Sequence, residues 1–245
     1  MSLHPGSFGE YGEIELTQSK YVTKERHDLL NLLPQDFNCL SILEIGCADG
    51  NNLRFFSQRL NVGIKNCLGI DICKSFENKY ELFQFQHISV EEFFKKNTNT
   101  FDLIIFSDVL EHCFNPWNIL TFTKKILNPD GLILISVPNF QNIKYLKAIN
   151  NGEFFYEETG LFDQTHIRFF SSISIRKYLQ YSGYKVISSG FRPDASLSQL
   201  KSNLIENLEN TNTCSININN LILHISKFNI EEYFGQQVII CAGHE

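Results

Sequence analysis

The sequence has no excess of basic residues. Its 245 residues include 21 lysines and arginines against 27 aspartates and glutamates, for a formal net charge of -6. Affinity for nucleic acids depends largely on lysine and arginine side chains that displace counterions from phosphates, so a chain of this charge needs a local basic patch to bind them. No such patch stands out along the chain. We therefore expect no nucleic-acid partner.

Paired cysteine motifs are missing as well. The seven cysteines are odd in number, include no C-x-x-C pair and fall largely within apolar runs. A disulfide framework uses an even number of cysteines, and zinc sites and redox dithiols use closely spaced pairs. We expect buried free thiols in a reducing compartment.

Long apolar runs are also absent. No window approaches the roughly 18 apolar residues of a membrane-spanning helix, and the first residues, MSLHPGSFGEYG, lack the basic start and apolar centre of a signal peptide. The sequence therefore predicts a cytoplasmic protein without a membrane span. With 43% hydrophobic and 20% charged residues, the chain can fold as a single domain.

Short apolar runs alternate with stretches of helix length. Buried strands are predicted at residues 41–45, 66–70, 101–106 and 132–137. Helices are predicted at residues 51–60, 75–83 and 116–127, and a turn at residues 128–131. Runs that are apolar throughout are typical of parallel strands covered on both faces. The alternation predicts an α/β fold with a doubly wound, mostly parallel sheet.

The C-terminal part is less regular. It predicts a helix at residues 173–182 closed by Gly183, a strand at 184–188 and a last strand at 237–242. The Asn/Ser-rich stretch that reaches about residue 220 suggests a mobile insertion rather than a second domain. Leucines recur in it at helical spacing, which favours packing on the core over binding a partner: Leu197, Leu200, Leu204 and Leu208.

The strongest local signal is SILEIGCADG, residues 41–50. An apolar strand runs into Gly46, Ala48 and Gly50 before a helix, and small residues there let a ligand approach the backbone at the carboxyl end of a strand. The dinucleotide fingerprint G-x-G-x-x-G is matched only at its first glycine, so NAD is weakly indicated. Glu44 would repel a pyrophosphate and favours a ligand with a cationic amino group.

The second predicted strand ends in GID. Asp71 follows the glycine loop by about 20 residues, where a carboxylate can accept hydrogen bonds from both hydroxyls of a ribose. Since NAD and other nucleotide ligands all carry a ribose, Asp71 indicates a nucleotide without selecting one.

In order along the chain, LEIGCADG, GID, FDLIIFSDVLEH and LNPDG resemble the motif series of class I S-adenosylmethionine-dependent methyltransferases. The resemblance implies a seven-stranded, Rossmann-like methyltransferase fold with an antiparallel last strand, and S-adenosylmethionine as cofactor. It also implies cofactor contacts from the following residues: Glu44, Gly46, Cys47, Ala48, Gly50, Asp71, Ile72, Ser89, Val90, Ser107 and Asp108.

The resemblance assigns these residues to different parts of the cofactor. Residues 44–50 surround the methionine moiety, Asp71 binds the ribose, and Ser89 and Val90 lie beside the adenine. Ser107 and Asp108 border the sulfonium and the acceptor pocket. The sequence departs from the family pattern at Ser89, where an aspartate is usual, and at Ala48, where a glycine is usual.

The segments 137–139 and 151–170 narrow the resemblance to the branch of ubiquinone-biosynthesis O-methyltransferases, and more closely to methyltransferases found with glycosyltransferases in polysaccharide pathways. In that branch YVTKERHDLLNLLP has a counterpart, an N-terminal helix whose Tyr21 and Arg26 cover the cofactor cleft. The expected function is methyl transfer to a hydroxyl of a small or carrier-linked metabolite such as a sugar or glycan precursor. N- or C-methylation and a non-catalytic scaffold remain alternatives.

Methyl transfer to a hydroxyl needs a base, whereas the sulfonium is already activated. His166 is the first candidate, with Asp163 placed to fix its tautomer if the segment turns helically, although such a pair can also merely anchor a loop. His112, next to Glu111, is the competing base. These four side chains could ligate a divalent metal, but they lack a compact spacing such as H-E-x-x-H, and no metal is predicted.

Acceptor binding is predicted for Glu111, Tyr156 and Arg168. The Arg168 guanidinium can pair with a phosphate or carboxylate. The aromatics around it either stack on a ring of the acceptor or form ordinary core: Phe154, Phe155, Tyr156, Phe162, Phe169 and Phe170. The sequence does not indicate an oligomeric state.

The predicted organisation is one domain, residues 1–245, in four parts. These are an N-terminal helical cover, a cofactor-binding core, an acceptor-site lid, and a C-terminal helix and strands with the polar insertion: residues 1–38, 39–140, 141–172 and 173–245.

Overall fold

The computed structural model describes residues 24–73, 83–218 and 221–245. Tyr21 and nearly all of the helix predicted at residues 75–83 lie outside these residues. The strands are β1 (Ile42–Ile45), β2 (Cys67–Asp71), β3 (Gln84–His87), β4 (Phe101–Ser107), β5 (Leu127–Pro138), β6 (Tyr184–Pro193), β7 (Thr213–Ile218), β8 (Leu221–Ser226) and β9 (Gly235–His244).

Seven of these strands form one sheet in the order β3-β2-β1-β4-β5-β9-β6. Strands β1 to β5 pair in parallel, whereas β9 lies antiparallel between β5 and β6. The strand order reverses where β1 meets β4, and open α/β sheets bind ligands at the carboxyl ends of the strands beside such a reversal. The predicted fold, with its antiparallel last strand, is confirmed.

The helices are α1 (His27–Leu30), α2 (Asn51–Arg59), α3 (Val90–Lys96), α4 (Pro116–Ile126), α5 (Ile143–Asn151), α6 (Ser172–Tyr181), α7 (Ser198–Asn210) and α8 (Ile230–Phe234). Their ends follow capping chemistry. Asn115 caps α4 with Pro116 at the first helical position, and Ser171 forms a reciprocal capping box on α6. Gly183, with φ of 77°, follows α6 as predicted.

Helices cover both faces of the sheet. One face packs on α3, α4 and α6 through residues such as Phe93, Ile119 and Ile175. The other face packs on α1 and α2 through Leu29 and Phe56. Because side chains alternate along a strand, Leu43 and Ile45 of β1 face the first layer, while Ile42 and Glu44 face α2. This alternation buries an acidic side chain under the helix that follows the glycine loop.

The segment Asn128–Gly131 was predicted to be a turn before a strand, and this prediction is wrong. These residues lie within β5, where pairing begins at Leu127 opposite Phe101 and resumes at Leu132 opposite Leu103. The extra residues of β5 form an irregularity in the ladder, so the chain keeps its pairing on either side of them.

The polar stretch was predicted to be a mobile insertion, but its described residues form a helix and two strands. Helix α7 and the antiparallel hairpin of β7 and β8 share an apolar cluster with α5 and α8. Leu204 and Leu208 are buried in this cluster, as their helical spacing predicts, whereas Leu200 is exposed. Because β9 starts beside the end of β5, this subdomain lies at the carboxyl edge of the sheet.

The cysteines are all free, as predicted, and five of the seven are buried. Across residues 24–73, 83–218 and 221–245, no helix combines the length and hydropathy needed to cross a bilayer.

Candidate active site

The loop after β1 turns sharply at the carboxyl edge of the sheet. Gly46, Ala48 and Gly50 have positive φ angles of 70°, 45° and 68°. The Gly46 N–H donates to the Ile70 carbonyl at 2.9 Å, which ties the loop to β2. A Cβ at Gly46 would lie 2.6 Å from Cγ2 of Val109, so only glycine fits there. Glycine at this position therefore lets the loop turn sharply and pack closely against Val109.

Glu44 lies beneath this loop with none of its surface exposed. Its Oε1 accepts a hydrogen bond of 2.6 Å from Asn52 Nδ2, while its Oε2 has no partner among the described residues. Burial raises the pKa of the Glu44 carboxyl to about 8. A buried carboxylate oxygen without a partner is costly, and a ligand ammonium would relieve that cost.

Cys47 and Asp71 fix the other side of the loop. Cys47 is buried, and a Cβ at Gly69 would come within 2.7 Å of its sulfur, so β2 needs glycine there. Asp71 accepts hydrogen bonds from the N–H groups of Ala48 at 2.9 Å and Cys73 at 2.8 Å, one on each carboxylate oxygen. Each oxygen keeps lone-pair capacity for a hydroxyl donor.

The remaining predicted nucleotide contacts lie beyond β2 and β3. Ile72 has an exposed side chain, and its carbonyl lies 2.8 Å from His87 Nε2. Ser89 caps α3, because its Oγ accepts from the Glu92 N–H at 3.2 Å, and Val90 is the first residue of that helix. The Ser89 hydroxyl therefore caps α3, and its predicted contact with an adenine stays a prediction.

Arg26 joins the N-terminal segment to the carboxyl edge. Its guanidinium pairs with Asp28 and donates to Oγ of Ser107 at 2.8 Å, Oγ of Ser136 at 2.9 Å and Oδ2 of Asp108 at 3.3 Å. Only 4% of Arg26 is exposed. It contacts the ends of β4 and β5, while α1 has only four residues, so the predicted helical cover of the cofactor cleft stays a prediction.

Asp108 follows β4 directly. Its φ of 57° is unusual for a residue other than glycine. Its Oδ1 accepts from Ser136 Oγ at 2.8 Å, and its N–H donates back to that hydroxyl at 3.1 Å. Ser107 and Asp108 thus border the point where the strand order reverses, and their place beside the sulfonium and the acceptor stays a prediction.

Glu111 is buried in the short 3-10 helix Leu110–His112. Its carbonyl accepts from the N–H groups of Ile167 and Arg168, which docks the predicted lid against the end of β4. Neither of its carboxylate oxygens has a partner among the described residues. Burial, with the charge of Asp108 next in importance, raises the pKa of Glu111 well above its usual range.

The two candidate bases lie together. The rings of His112 and His166 have centroids 4.9 Å apart, in an edge-on arrangement. Burial lowers the pKa of both imidazoles. Asp163 was expected to orient His166, but its Oδ1 instead accepts from Thr165 Oγ1 at 2.6 Å and Thr165 N–H at 2.8 Å, because the segment turns back on Thr165. His166 Nδ1 lies 3.3 Å from the Leu161 carbonyl.

Asp163 therefore positions the other histidine. Thr165 Oγ1 donates to Asp163 and lies 3.1 Å from His112 Nδ1, which also faces the Thr165 carbonyl at 3.2 Å. Since Thr165 has given its hydroxyl proton to Asp163, His112 Nδ1 is the donor to Thr165.

The lid aromatics divide between core and surface. Phe170 is buried, and Phe162 packs on Tyr145 with ring centroids 4.4 Å apart. Tyr156 is 66% exposed, and Arg168 donates to the backbone carbonyls of Ile167 and Phe114. Of the three predicted acceptor residues, Tyr156 thus lies on the surface and the Arg168 guanidinium binds backbone carbonyls, and the acceptor role of all three stays a prediction.

Sequence reasoning missed four residues of the site: Asn52, Ser136, Tyr145 and Thr165. Asn52 is a buried polar residue on the inner face of α2, which is the only signal that could have singled it out. Tyr145 lies on α5 with its buried hydroxyl lacking a partner among the described residues. Ser136 and Thr165 act through contacts that only the fold brings together.

The reversed sheet order defines a doubly wound domain, and the sharply turned glycine loop with the buried carboxylate fits a nucleotide-like ligand that carries an amino group. A family model described as a methyltransferase domain matches residues 18–189. The chain belongs to this family of methyltransferase domains.

Relatives support the assignment. The ubiquinone biosynthesis O-methyltransferase of Glaesserella parasuis serovar 5 is 30% identical over 125 residues, covering 46% of this chain and 51% of its own length. That of Aromatoleum aromaticum is 22% identical over 151 residues, covering 58% and 62%. The chain spans about half the length of the curated relatives that it matches.

Solved structures share the fold. A SAM-dependent methyltransferase from Archaeoglobus fulgidus has a TM-score of 0.59 at 19% identity, covering 88% of this chain and 90% of its own. The plantazolicin methyltransferase BamL, solved with SAH, has a TM-score of 0.54 at 15% identity, covering 84% and 77%. The predicted family and fold are confirmed.

S-adenosylmethionine, the predicted cofactor, fits the residues of this site. The Oε2 of buried Glu44 suits the ammonium, the sharply turned loop carries no side chain at Gly46, and Asp71 suits the ribose hydroxyls.

Proposed function

We propose that the protein transfers the methyl group of S-adenosylmethionine to a hydroxyl oxygen of a small or carrier-linked metabolite. The observation that carries the proposal is the buried Glu44 carboxylate, with one oxygen lacking a described partner, beneath a loop with three positive φ angles. A tight turn alone needs no buried acid, whereas pairing with a ligand ammonium stabilises a buried carboxylate. When bound, the cofactor supplies a methyl group on a sulfonium that already activates it.

The residues of the chain then position the acceptor and handle its proton. The acceptor oxygen attacks the methyl carbon as the carbon–sulfur bond breaks, and the hydroxyl proton passes to the cluster of Glu111, His112 and His166. His166 and His112 are the candidates for taking it up, since each Nδ1 faces a backbone carbonyl and each Nε2 keeps a lone pair. Asp163, through Thr165, positions His112.

A sugar or glycan precursor is the acceptor class that we propose first. The acceptor side holds buried polar groups without described partners, namely the Glu111 carboxylate and the Tyr145 hydroxyl. Such groups discriminate for ligands that carry several hydroxyls, because an apolar ligand would leave them unpaired. The relatives named for ubiquinone biosynthesis make a phenol the comparison class.

The test uses the purified full chain with methyl-labelled S-adenosylmethionine and two acceptor panels, nucleotide sugars and catechol-type phenols. We expect label in a methyl ether, identified by its carbon chemical shift, from a nucleotide sugar. Label in phenols alone would reject the sugar class, and label in a methylamine would reject O-methylation. Bound cofactor without any labelled product from either panel would contradict the proposed activity.

A further inference from the structure

Two tyrosines in the described part of the chain are almost completely buried, and their hydroxyls differ in hydrogen bonding. Tyr184 is 2% exposed, and its hydroxyl donates to the Leu120 carbonyl at 3.0 Å. Tyr145 is 1% exposed, and its hydroxyl has no partner among the described residues. A buried tyrosine hydroxyl usually has a partner, because burial without one forfeits its hydrogen bonds to water. A phenylalanine would fill the same volume without this cost, so the hydroxyl of Tyr145 favours a role in ligand binding.

The backbone around Tyr145 is anchored at the carboxyl edge of the sheet. Tyr145 is the third residue of α5, the helix that follows β5. Asn142 caps this helix by accepting from the Lys144 N–H at 2.9 Å, and its Nδ2 donates to the carbonyl of Gly235, the first residue of β9, at 3.0 Å. The start of α5 is therefore tied to the central sheet.

Two phenylalanines hold the Tyr145 ring. Its centroid lies 5.0 Å from that of Phe140, between β5 and α5, and 4.4 Å from that of Phe162 in the lid, in an edge-on arrangement. Phe162 packs edge-on against Phe154 at 4.8 Å. The ring would have to break these contacts to bring its hydroxyl to solvent. The hydroxyl is therefore held at the junction of α5 and the lid.

Acidic side chains lie near this hydroxyl. Burial, followed by the carboxylates of Glu111, Glu157 and Asp163, raises the pKa of Tyr145. The hydroxyl therefore keeps its proton at neutral pH and can donate it in a hydrogen bond. The three carboxylates belong to the segment after β4 and to the lid, which also carry the two candidate bases. The donor thus lies on the acceptor side of the site.

We propose that the Tyr145 hydroxyl donates a hydrogen bond to a second oxygen of the acceptor and thereby selects the hydroxyl that is methylated. This role rests on the proposed function and implies an acceptor with two neighbouring oxygens. Such an acceptor can present either oxygen to the sulfonium, and a fixed donor near the candidate bases holds one orientation. An analogue without the second hydroxyl leaves the donor unpaired, so the site discriminates against it.

The first test compares Tyr145→Phe with Tyr184→Phe, since each change removes one buried hydroxyl and keeps the ring. Urea unfolding of the ligand-free chain requires no activity. The midpoint should stay unchanged or rise in Tyr145→Phe, because no hydrogen bond within the chain is lost, and it should fall in Tyr184→Phe. An equal fall in both variants would show that the Tyr145 hydroxyl is already paired within the protein and would overturn the proposal.

The second test uses the most heavily labelled acceptor of the two panels and analogues that each lack one neighbouring hydroxyl. Tyr145→Phe should lower kcat/KM for the full acceptor about tenfold, leave kcat/KM for one analogue unchanged, and give a mixture of positional methyl ethers. Tyr184→Phe should keep the acceptor preference and the single product of the unaltered protein. Equal losses on the full acceptor and on every analogue, with a single product, would overturn the selecting role.

Calorimetry distinguishes a failure of this role from a failure of the proposed function. The panel compounds are titrated into the complex with S-adenosylhomocysteine, which has no methyl group to transfer. Weaker binding to Tyr145→Phe than to Tyr184→Phe, without methylation of any compound, would reject the proposed function and keep the hydrogen bond. Methylation with equal binding and the same product in both variants would do the reverse. No binding of any panel compound would overturn both.

Discussion

Cofactor affinity should depend on pH through Glu44. Burial raises the pKa of this carboxyl from its ordinary value of 4.5 to about 8, so the free protein holds it mostly protonated at neutral pH. A ligand ammonium pairs with the ionised form, and binding must therefore displace the proton below pH 8. Well below pH 8 each pH unit costs a factor of ten, and near pH 8 it costs less, so affinity should rise about 20-fold between pH 6 and 7.5.

Calorimetric titration of the protein with S-adenosylmethionine across this pH range measures the affinity and tests whether Glu44 controls it. The ligand amino group stays largely protonated up to pH 7.5, because its pKa is about 8. In Glu44→Gln the pH dependence should vanish, and affinity at pH 7.5 should fall at least tenfold. A flat profile in the unaltered protein, or the same slope in the glutamine variant, would refute the assignment of Glu44 to the ammonium.

The raised pKa of Glu44 also makes the stability of the folded protein depend on pH. Because the folded state binds a proton that the unfolded state releases between pH 4.5 and 8, stability falls as pH rises through that window. Glu44→Gln should therefore stabilise the ligand-free protein at pH 8, by at most about 5 kcal/mol, and much less at pH 5. Urea unfolding measures the difference, with Glu92→Gln on the exposed face of α3 as a control that lacks this trend.

Three further changes follow from the geometry. Gly46→Ala should destabilise the fold by more than about 2 kcal/mol in urea unfolding, whereas Gly152→Ala, with the same φ but open space, should lose about 1 kcal/mol. Arg26→Ala should lower the free energy of unfolding by about 3 to 5 kcal/mol, because it breaks a buried ion pair. Arg54→Ala, at an exposed position of α2, should lower it by less than about 0.5 kcal/mol. Thr165→Val should lower kcat for methyl transfer about tenfold while cofactor affinity is kept, and an unchanged kcat would show that Thr165 does not position His112.

The cofactor half of the site was predictable because its signals are local. A strand, a glycine loop and a helix follow one another in residues 41–60, so Glu44, Gly46 and Ala48 occupy neighbouring positions once the strand forms. Asp71 follows from parallel pairing, which brings the carboxyl ends of β1 and β2 together.

The acceptor half was less predictable because it depends on contacts between distant residues. Asp163 precedes His166 by three residues, which suggested a helical pair, yet the local turn gives its carboxylate to Thr165. The same fold joins His166 to Glu111 across more than 50 residues, so no spacing rule reveals the cluster. The packing of helix α7 was hard to predict for a similar reason. Polar residues dominate its composition, while Leu204 and Leu208 pack in an apolar cluster that is separate from the main core.

The central claim is that the glycine loop binds S-adenosylmethionine. Calorimetric titration of the purified protein, alongside Asp71→Ala, tests it most directly. We expect one site per chain with micromolar affinity, weakened at least tenfold in Asp71→Ala because the variant lacks the carboxylate proposed to bind the ribose. No binding to the unaltered protein at millimolar cofactor, or equal affinity in the alanine variant, would contradict it.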